Sequence, residues 1–272
     1  MPDYENPLLP EGVNVSRDNP LVEFARLVAG LALVATVAGL TLYFGGSRLA
    51  RLVPFETEAA LVGDSVLGIG APEAGKSGIA DYLQEVTDRL AAEMMLPANM
   101  KLRVHYIDTP VPNAFAALGG HIAVTRGLYE AVKSENALAM VLAHEIAHVR
   151  ARDPIAGLGG SATLVLALAL VSGDAANLSS AFARIVQSGY SRRAEAEADG
   201  AAIEALRRVY GHAGGGTEVF ETFARYHEDH GGELPSLLST HPLDAQRIER
   251  LKLAEQDWDA QRQPLRPIRP TT

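Results

Sequence analysis

The sequence contains no cysteine in 272 residues. This absence excludes disulfides and thiolate metal sites, and it leaves histidine and carboxylate side chains as the strong metal ligands. The chain also lacks any run of Lys or Arg longer than a pair, and its formal net charge is −9. A nucleic-acid partner therefore has no electrostatic support, and we expect none.

Charge is also absent from one long stretch near the N-terminus. Residues 27–44, "LVAGLALVATVAGLTLYF", form 18 uncharged positions, which at about 1.5 Å per residue are enough to cross a bilayer core. We predict one transmembrane helix with the lipid bilayer as its partner. A cleaved signal peptide is the alternative, but the preceding residues 1–26 are long, acidic and proline-rich, which predicts a flexible acidic tail instead. Basic residues are balanced on the two sides of the span, so the sequence does not orient it.

The remaining chain divides into a juxtamembrane linker at 45–78, one folded domain at 79–256 and a proline-rich tail at 257–272 that we predict to be disordered. Within the domain, hydrophobic periodicity predicts helices and short extended segments. They are a helix from 79, a strand at 101–107, two neighbouring extended segments around Gly119 and Gly120, a long helix at 134–150 and helical structure at 175–209.

A second uncharged run, residues 155–172, is predicted to be a buried or membrane-surface helix. A full crossing there would need a return span, and 175–190 is a poor one because it contains Asn177 and Arg184. Without a return span, His148 and Glu195 would lie on opposite sides of the membrane.

The motif "HEIAH" places His144 and His148 four residues apart, so both imidazoles project from the same face of a helix and can bind one metal ion. Glu145 lies beside them as the candidate general base that accepts a proton from water and passes it to the leaving amine. Two exposed histidines on a helix are the structural alternative. The apolar residues around the motif in "VLAHEIAHV" favour the metal site.

A third ligand is expected downstream. In "SRRAEAEADGAA", Glu195 and Asp199 share one helical face, while Glu197 points away from it. We predict Glu195 as a ligand and Asp199 as the carboxylate that orients a ligand imidazole. No role is assigned to the histidines at 105, 121, 212, 227 and 230.

Four motifs in this order resemble a known family: "NAFA" at 113–116 followed by "GGHIAVTRGL", then "HEIAH", "SRRAEAEAD" and "STHPLDAQRIERL". They are similar to the membrane-associated zinc metallopeptidases that include the CAAX prenyl protease, the heat-shock protease HtpX and the Oma-type quality-control proteases. The resemblance covers roughly residues 80–256. Its multi-span members carry several transmembrane helices, whereas this chain has one convincing span, which favours the single-anchor bacterial branch.

The resemblance implies one Zn²⁺ per chain with Glu195 as the third ligand. It also implies that the segment containing Asn113, Ala114 and Phe115 is an edge strand that pairs with the substrate main chain. His241 would approach the metal, either to bind the transition-state oxyanion or to cap the zinc as a removable fourth ligand, with Arg247 as its companion.

We therefore expect an α+β fold: a mostly helical zincin-type metalloprotease domain with a small β-sheet and one N-terminal transmembrane helix. The predicted function is endopeptidase action on protein or peptide substrates, among them misfolded envelope proteins. The predicted location is the bacterial inner membrane, single-pass, with the catalytic domain in the periplasm. The alternative is a latent or chaperone-like tethered binding module whose zinc site is capped by His241.

One motif competes with this interpretation. "GAPEAGKSG" at 70–78 fits the phosphate-binding pattern G-x-x-x-x-G-K-[ST]. Pro72 removes a backbone donor from the loop and Glu73 adds a negative charge, so both oppose a phosphate. The chain after 126 is also predicted to be nearly all helix, without the parallel sheet that a P-loop domain needs. We expect no nucleotide partner.

Overall fold

The structure is a computed structural model that describes residues 19–62, 77–160, 189–229, 241 and 245–269. The chain divides into two compact units, Met1–Leu42 and Tyr43–Thr272. The described part of the first unit is helical, and all the other elements belong to the second unit.

The N-terminal helix α1 runs over Pro20–Ala50, 31 residues. It begins earlier than the predicted span because the Asn19 side chain accepts a hydrogen bond from the Leu21 N–H at 3.0 Å, and proline suits the first helical position. Residues 20–26 and 45–50 are thus helical, not part of a tail or a linker. Among the described residues, α1 is the one helix long and apolar enough to cross a membrane by length and composition.

The predicted linker also contains a second short helix, α2, at Phe55–Val62. Phe55 and Glu58 are buried. The Glu58 carboxylate accepts hydrogen bonds from the Gly119 N–H at 2.7 Å and from Arg152 at 2.6 Å. This segment is therefore packed on the domain, and residues 63–76, which include most of the "GAPEAGKSG" stretch, lie outside the described residues.

A three-stranded sheet contains β1 (Arg103–Ile107), β2 (Ala114–Ala116) and β3 (His121–Thr125) in the order β1-β3-β2. β1 is parallel to β3, and β2 is antiparallel to it. The turn between β2 and β3 needs positive φ at Gly119 and Gly120, 70° and 81°, which glycine adopts without a steric penalty. The predicted pair of neighbouring extended segments is confirmed, and β2 is an edge of this sheet.

Six more helices are present in the described part of the domain. They are α3 (Ser77–Glu93), α4 (Arg126–Ala131), α5 (Glu135–Ala151), α6 (Arg192–Tyr210), α7 (Glu218–Asp229) and α8 (Ala245–Glu255). Helix α5 is central: it packs against α3, α6 and β2, and its residues from Glu135 to Val149 are all buried. The Ser134 and Ser191 side chains cap α5 and α6. The α+β class with a mostly helical domain and a small sheet is confirmed.

The predicted buried or membrane-surface helix at 155–172 is described only at its start. Residues 153–160 are helical, and Ile155 and Ala156 are buried. Residues 161–188 lie outside the described residues, so the prediction stays open there.

The C-terminal segment at 257–269 differs from the predicted disordered tail. We call it the C-terminal strap. The Arg266 N–H donates to the Asn136 side chain at 2.9 Å, and the Glu135 N–H donates to the Arg266 carbonyl at 2.8 Å. The Trp258 ring stacks on His212. Main-chain hydrogen bonds and side-chain contacts of Arg266 and Arg269 both contribute to this attachment, and a proline-rich composition does not reveal them.

Candidate metal centre

His144 and His148 lie one turn apart on α5, as their spacing predicts. Their Nε2 atoms are 3.1 Å apart, and both side chains are buried in the middle of the domain. Helix α5 places them there because its residues from Glu135 to Val149 are all buried, so the polar motif lies inside the domain.

Glu195 and His241 complete a group of four side chains. Glu195, on α6, brings its two carboxylate oxygens within 3.3 Å of His144 Nε2 and 3.5 Å of His148 Nε2. His241 Nδ1 lies 2.9 Å from Glu195 Oε1 and 3.2 Å from His144 Nε2. All four residues are buried, and one ligand atom from each lies within 4.8 Å of the others.

The donor set fits a metal ion. Three imidazoles and one carboxylate converge on one point, which is the nitrogen and oxygen chemistry that Zn²⁺ and related transition metals accept. Glu145 supports this fit: its Oε1 atom is buried and has no hydrogen-bond partner among the described residues. An orphaned carboxylate oxygen is costly unless a further group binds there.

Asp199 lies behind His144, where the sequence predicts an orienting carboxylate. Its Oδ1 atom is 3.1 Å from His144 Nδ1. Arg247, on α8, donates two hydrogen bonds of 2.8 Å to Asp199, and its Nη1 atom lies 2.7 Å from Glu195 Oε2. Its contact with His241 is with the main-chain carbonyl at 3.4 Å. The Arg247 side chain thus mainly binds the two carboxylates.

The electrostatics follow from burial and these contacts. Burial opposes ionisation of Glu195, but hydrogen bonds with His144, His148 and His241 outweigh it and hold the pKa of this carboxyl far below its usual range. Burial likewise lowers the pKa of His148, yet hydrogen bonds to Asp153 and Glu195 raise it to about 9 in the metal-free protein. A centre that stabilises positive charge this strongly is suited to a cation.

The predicted substrate strand lies beside Glu145. Asn113 and Ala117 form main-chain hydrogen bonds with the partner strand β3, so the intervening N–H of Ala116 points away from the sheet. It donates to Glu145 Oε2 at 2.8 Å. Ala114 and Phe115 lie on the same strand, paired with Val124 and Ala123.

Three residues at the site escaped the sequence analysis. Asp153 Oδ2 lies 2.9 Å from His148 Nδ1, and Arg51 Nη2 lies 3.0 Å from Asp153 Oδ1. The Tyr190 ring stacks on His148 with centroids 4.1 Å apart. The sequence does contain a signal for one of them, because Asp153 is a carboxylate five residues after His148. Its side chain reaches His148 only because Arg152 adopts a left-handed conformation, which the sequence does not indicate.

The remaining described histidines belong to other contacts. His105 and His121 contact each other across β1 and β3, with ring nitrogens 2.7 Å apart. His212 contacts the strap. The side chains of His227 and His230 lie outside what the structure describes.

An apolar pocket adjoins the group on the side of α7. It is lined by Met140, Val141, Val219, Phe220 and Phe223, together with Glu145, His144 and His241. The pocket therefore places hydrophobic walls directly beside the polar groups of the centre.

Two histidines one turn apart, a glutamate between them and a further glutamate from a second helix define a metal-dependent peptidase of the zincin type. Comparison with known families agrees. The chain belongs to peptidase family M48, whose family profile matches residues 79–255, and this membership supports metalloendopeptidase activity, a hydrolase reaction.

The chain is similar to several named proteases. A Vibrio cholerae protein, whose name describes a beta-barrel assembly-enhancing protease, is 35% identical over 152 residues, covering 50% of this chain and 31% of that protein. Mitochondrial metalloendopeptidase OMA1 of Schizosaccharomyces pombe is 29% identical over 177 residues, 63% of this chain and 51% of that protein. A protease HtpX homolog of Burkholderia multivorans is 31% identical over 205 residues, 60% of this chain and 72% of that protein. The chain thus spans a third to a half of the first two relatives.

Proposed function

We propose that this protein is a zinc-dependent endopeptidase, tethered to a membrane by α1, that cleaves unfolded protein segments. The observation that carries the proposal is the position of Glu145. One of its oxygens is fixed by a main-chain N–H of an edge strand, and the other is buried with no hydrogen bond from any described residue, next to four convergent candidate metal ligands.

His144, His148 and Glu195 would hold one Zn²⁺. A bound zinc ion would supply Lewis-acid chemistry there, lowering the pKa of a water and polarising a carbonyl. The choice of zinc over other divalent metals rests on the two imidazoles and the carboxylate, a donor set that catalytic zinc sites use.

Glu145 would act as the general base and then as the general acid. The Ala116 N–H binds Oε2 at 2.8 Å and so aims Oε1 into the site. Oε1 can then accept a proton from the attacking water and deliver it to the leaving amine. Because the Glu145 carboxylate is held by β2, a substrate paired with β2 would lie within reach of this base.

His241 has two possible tasks, and its position bears on both. Its Nδ1 atom lies with the ligand atoms, and its Nε2 atom is 3.5 Å from Glu145 Oε1. It would either stabilise the oxyanion during peptide cleavage or cap the metal in a resting state. Arg247 would support it by holding Asp199 and Glu195 and by donating to the His241 carbonyl.

Substrate binding would use the free side of β2 and the apolar pocket. Asn113, Ala114 and Phe115 lie on or beside β2, an edge strand of the sheet, and edge pairing recognises an extended main chain rather than a sequence. The pocket lined by Val219, Phe220 and Phe223 would take one apolar side chain next to the cleaved bond. Unfolded proteins present both features, which supports a quality-control role.

Helix α1 would anchor the enzyme in the bacterial inner membrane in a single pass. Its large hydrophobic side chains are exposed along its length, as expected for a helix in contact with lipid. By similarity to the beta-barrel assembly-enhancing and HtpX-type relatives, the substrates would include envelope proteins. We place the catalytic domain in the periplasm, which cysteine-accessibility labelling of single-cysteine variants on either side of α1 would test.

The experiment that tests the enzyme is Glu145→Gln in the full chain, with zinc content and cleavage of an unfolded protein measured together. We expect about one zinc per chain to be retained and cleavage to be lost. Glu197→Gln is the matched control, because Glu197 is exposed on α6 and pairs with Arg193 at 2.8 Å; it should cleave normally. Substantial cleavage by Glu145→Gln would remove Glu145 from the mechanism.

A latent binding module is the second candidate, favoured by the position of His241 among the ligands. Comparing His241→Ala with wild type on the same substrate separates the two. Increased cleavage indicates a cap, and loss of cleavage indicates a catalytic task. Inactivity of both proteins, with substrate still bound, would favour the binding module.

A further inference from the structure

We propose that Asp153 is a positioning residue that fixes His148 for metal binding, and that Arg51, just beyond the end of the apolar helix α1, holds Asp153 in place. This inference rests on the proposed metal site. It assigns a part in building the proposed catalytic centre to residues 51–62, which we call the juxtamembrane segment, in addition to any tethering.

The contact between Asp153 and His148 sets the orientation of the imidazole. Asp153 Oδ2 lies 2.9 Å from His148 Nδ1, on the opposite side of the ring from Nε2, which faces His144 and Glu195. When Nδ1–H donates to this carboxylate, the lone pair of Nε2 is directed at the metal. Tyr190 stacks on the ring face, so the ring is held at its edge and on its face.

Asp153 is separated from α5 by Arg152, where the backbone leaves the helix before residues 153–160 are helical again. Helix α5 ends at Ala151, and Arg152 adopts a left-handed conformation with φ of 60°. A residue other than glycine bears a steric cost in this conformation. The Arg152 side chain is tied to the juxtamembrane segment, by hydrogen bonds to the Val53 carbonyl at 2.8 Å and to Glu58 at 2.6 Å, and these contacts hold the turn.

Arg51 comes from the same juxtamembrane segment. Its Nη2 atom lies 3.0 Å from Asp153 Oδ1, so the carboxylate uses one oxygen for His148 and the other for Arg51. Asp153 is buried, and a buried carboxylate needs such a partner. Next to this ion pair, the helical residues 153–160 pack closely against the end of α1. Gly159 has no room for a side chain there, because a Cβ at this position would lie 2.7 Å from the Gly46 carbonyl oxygen and 2.3 Å from Ala50 Cβ.

Metal affinity of the full chain in detergent tests the proposal. The metal-free protein would be titrated with Zn²⁺ against a chromophoric chelator, and with Co²⁺ to record the visible absorption of the bound ion. Asp153→Ala, Asp153→Asn, Arg51→Ala and Arg48→Ala would be compared with wild type. Arg48 is the matched control, because it is exposed in the last turn of α1, three residues before Arg51, and its replacement removes the same charge.

We expect Asp153→Ala to bind Zn²⁺ about 10- to 100-fold more weakly, the range found when such a partner of a ligand histidine is removed. Its Co²⁺ spectrum should also shift, because the orientation of one ligand changes. Asp153→Asn, which keeps an oxygen acceptor, should lose less affinity. Arg51→Ala should show a smaller loss than Asp153→Ala, and Arg48→Ala should match wild type.

Wild-type affinity and an unchanged Co²⁺ spectrum in both Asp153 variants would overturn the role of Asp153. Equal affinities for Arg51→Ala and Arg48→Ala would overturn the role of Arg51. If Asp153→Ala fails to fold, Asp153→Asn decides alone, and wild-type affinity in that variant counts against the proposal. A wild-type protein that binds neither ion would instead refute the proposed metal site, so the two failures are distinguishable.

Discussion

The two histidines of α5 are held by two carboxylates in very different surroundings. Asp199 contacts His144 Nδ1 and receives two hydrogen bonds from Arg247, and both side chains of this pair are almost fully buried, 1% and 7% exposed. Asp153 contacts His148 Nδ1 and pairs with Arg51, whose side chain is 48% exposed. The contacts with the histidines are alike, but one support lies in the core and the other near the end of the apolar helix.

This difference separates a rigid half of the centre from an adjustable half. Breaking a buried ion pair leaves an uncompensated charge, which typically costs about 3–5 kcal/mol, whereas an exposed pair contributes about 0–1 kcal/mol. The position of His144 is therefore set by contacts within the core. The position of His148 depends on the juxtamembrane segment, so we expect a force or ligand acting on that segment to change the position of His148 first.

The largest expected effect is at Arg247. Its replacement by alanine removes the buried arginine that pairs with both Asp199 and Glu195, and we expect the free energy of unfolding of the metal-free protein to fall by about 3–5 kcal/mol. Urea unfolding followed by the fluorescence of Trp258, the only tryptophan, measures it. Arg250→Ala is the control, because Arg250 lies 3.6 Å from Asp199 and is more exposed. A loss equal to that of the control would mean that the His144 side is no more rigid than the other.

The next effect is the dependence of stability on pH. In the metal-free protein, burial lowers the pKa of His148 but the hydrogen bonds to Asp153 and Glu195 raise it to about 9. A raised histidine pKa stabilises the fold fully below the unfolded value of about 6.5 and loses that contribution as pH rises towards 9. Melting temperatures in a chelator should therefore decrease between pH 6.5 and 9.

Asp153→Asn isolates the share of His148 in this decrease. The variant should lose less stability over the same pH range than wild type, while the share of His144, whose pKa is also raised despite burial by its bond to Asp199, remains. Identical pH profiles for variant and wild type would show that the Asp153 contact does not stabilise the charged imidazole.

The smallest effect is expected for Arg51→Ala on stability. Because the arginine is half exposed, the free energy of unfolding should fall by no more than about 1 kcal/mol, and high salt should reduce the difference further. Unfolding of wild type and variant at low and high salt measures this. A loss comparable to that of Arg247→Ala would show that Arg51 supports Asp153 as strongly as Arg247 supports Asp199.

The sequence indicated one side of this centre and not the other, for physical reasons. His144 and His148, and separately Glu195 and Asp199, are recognisable because helical spacing places each pair on one face of its own helix, and Glu145 belongs to the first motif. The contact between Asp153 and His148 requires a left-handed arginine, for which the sequence gives no local signal. Arg51 lies about a hundred positions away in the chain, and no periodicity connects it with Asp153.

The fold shows the same division. The helices and the neighbouring strands β2 and β3 follow from hydrophobic periodicity and from Gly119 and Gly120. The early start of α1, the folded α2 and the C-terminal strap were missed or assigned to unfolded segments. The strap is attached through a main-chain hydrogen bond between Glu135 and Arg266 and through side chains such as Arg269, which pairs with Glu85, and composition carries no information about such contacts.

The strap has a practical consequence when it is considered together with the juxtamembrane segment. The strap forms hydrogen bonds with the first turn of α5, and the juxtamembrane segment forms hydrogen bonds with Arg152, just after its last turn. Both segments lie outside residues 79–255, the part that the family profile matches. A chain shortened to those boundaries would keep the four candidate metal ligands and Glu145, yet α5, which carries three of these residues, would lose the contacts of the strap and of the juxtamembrane segment at its two ends.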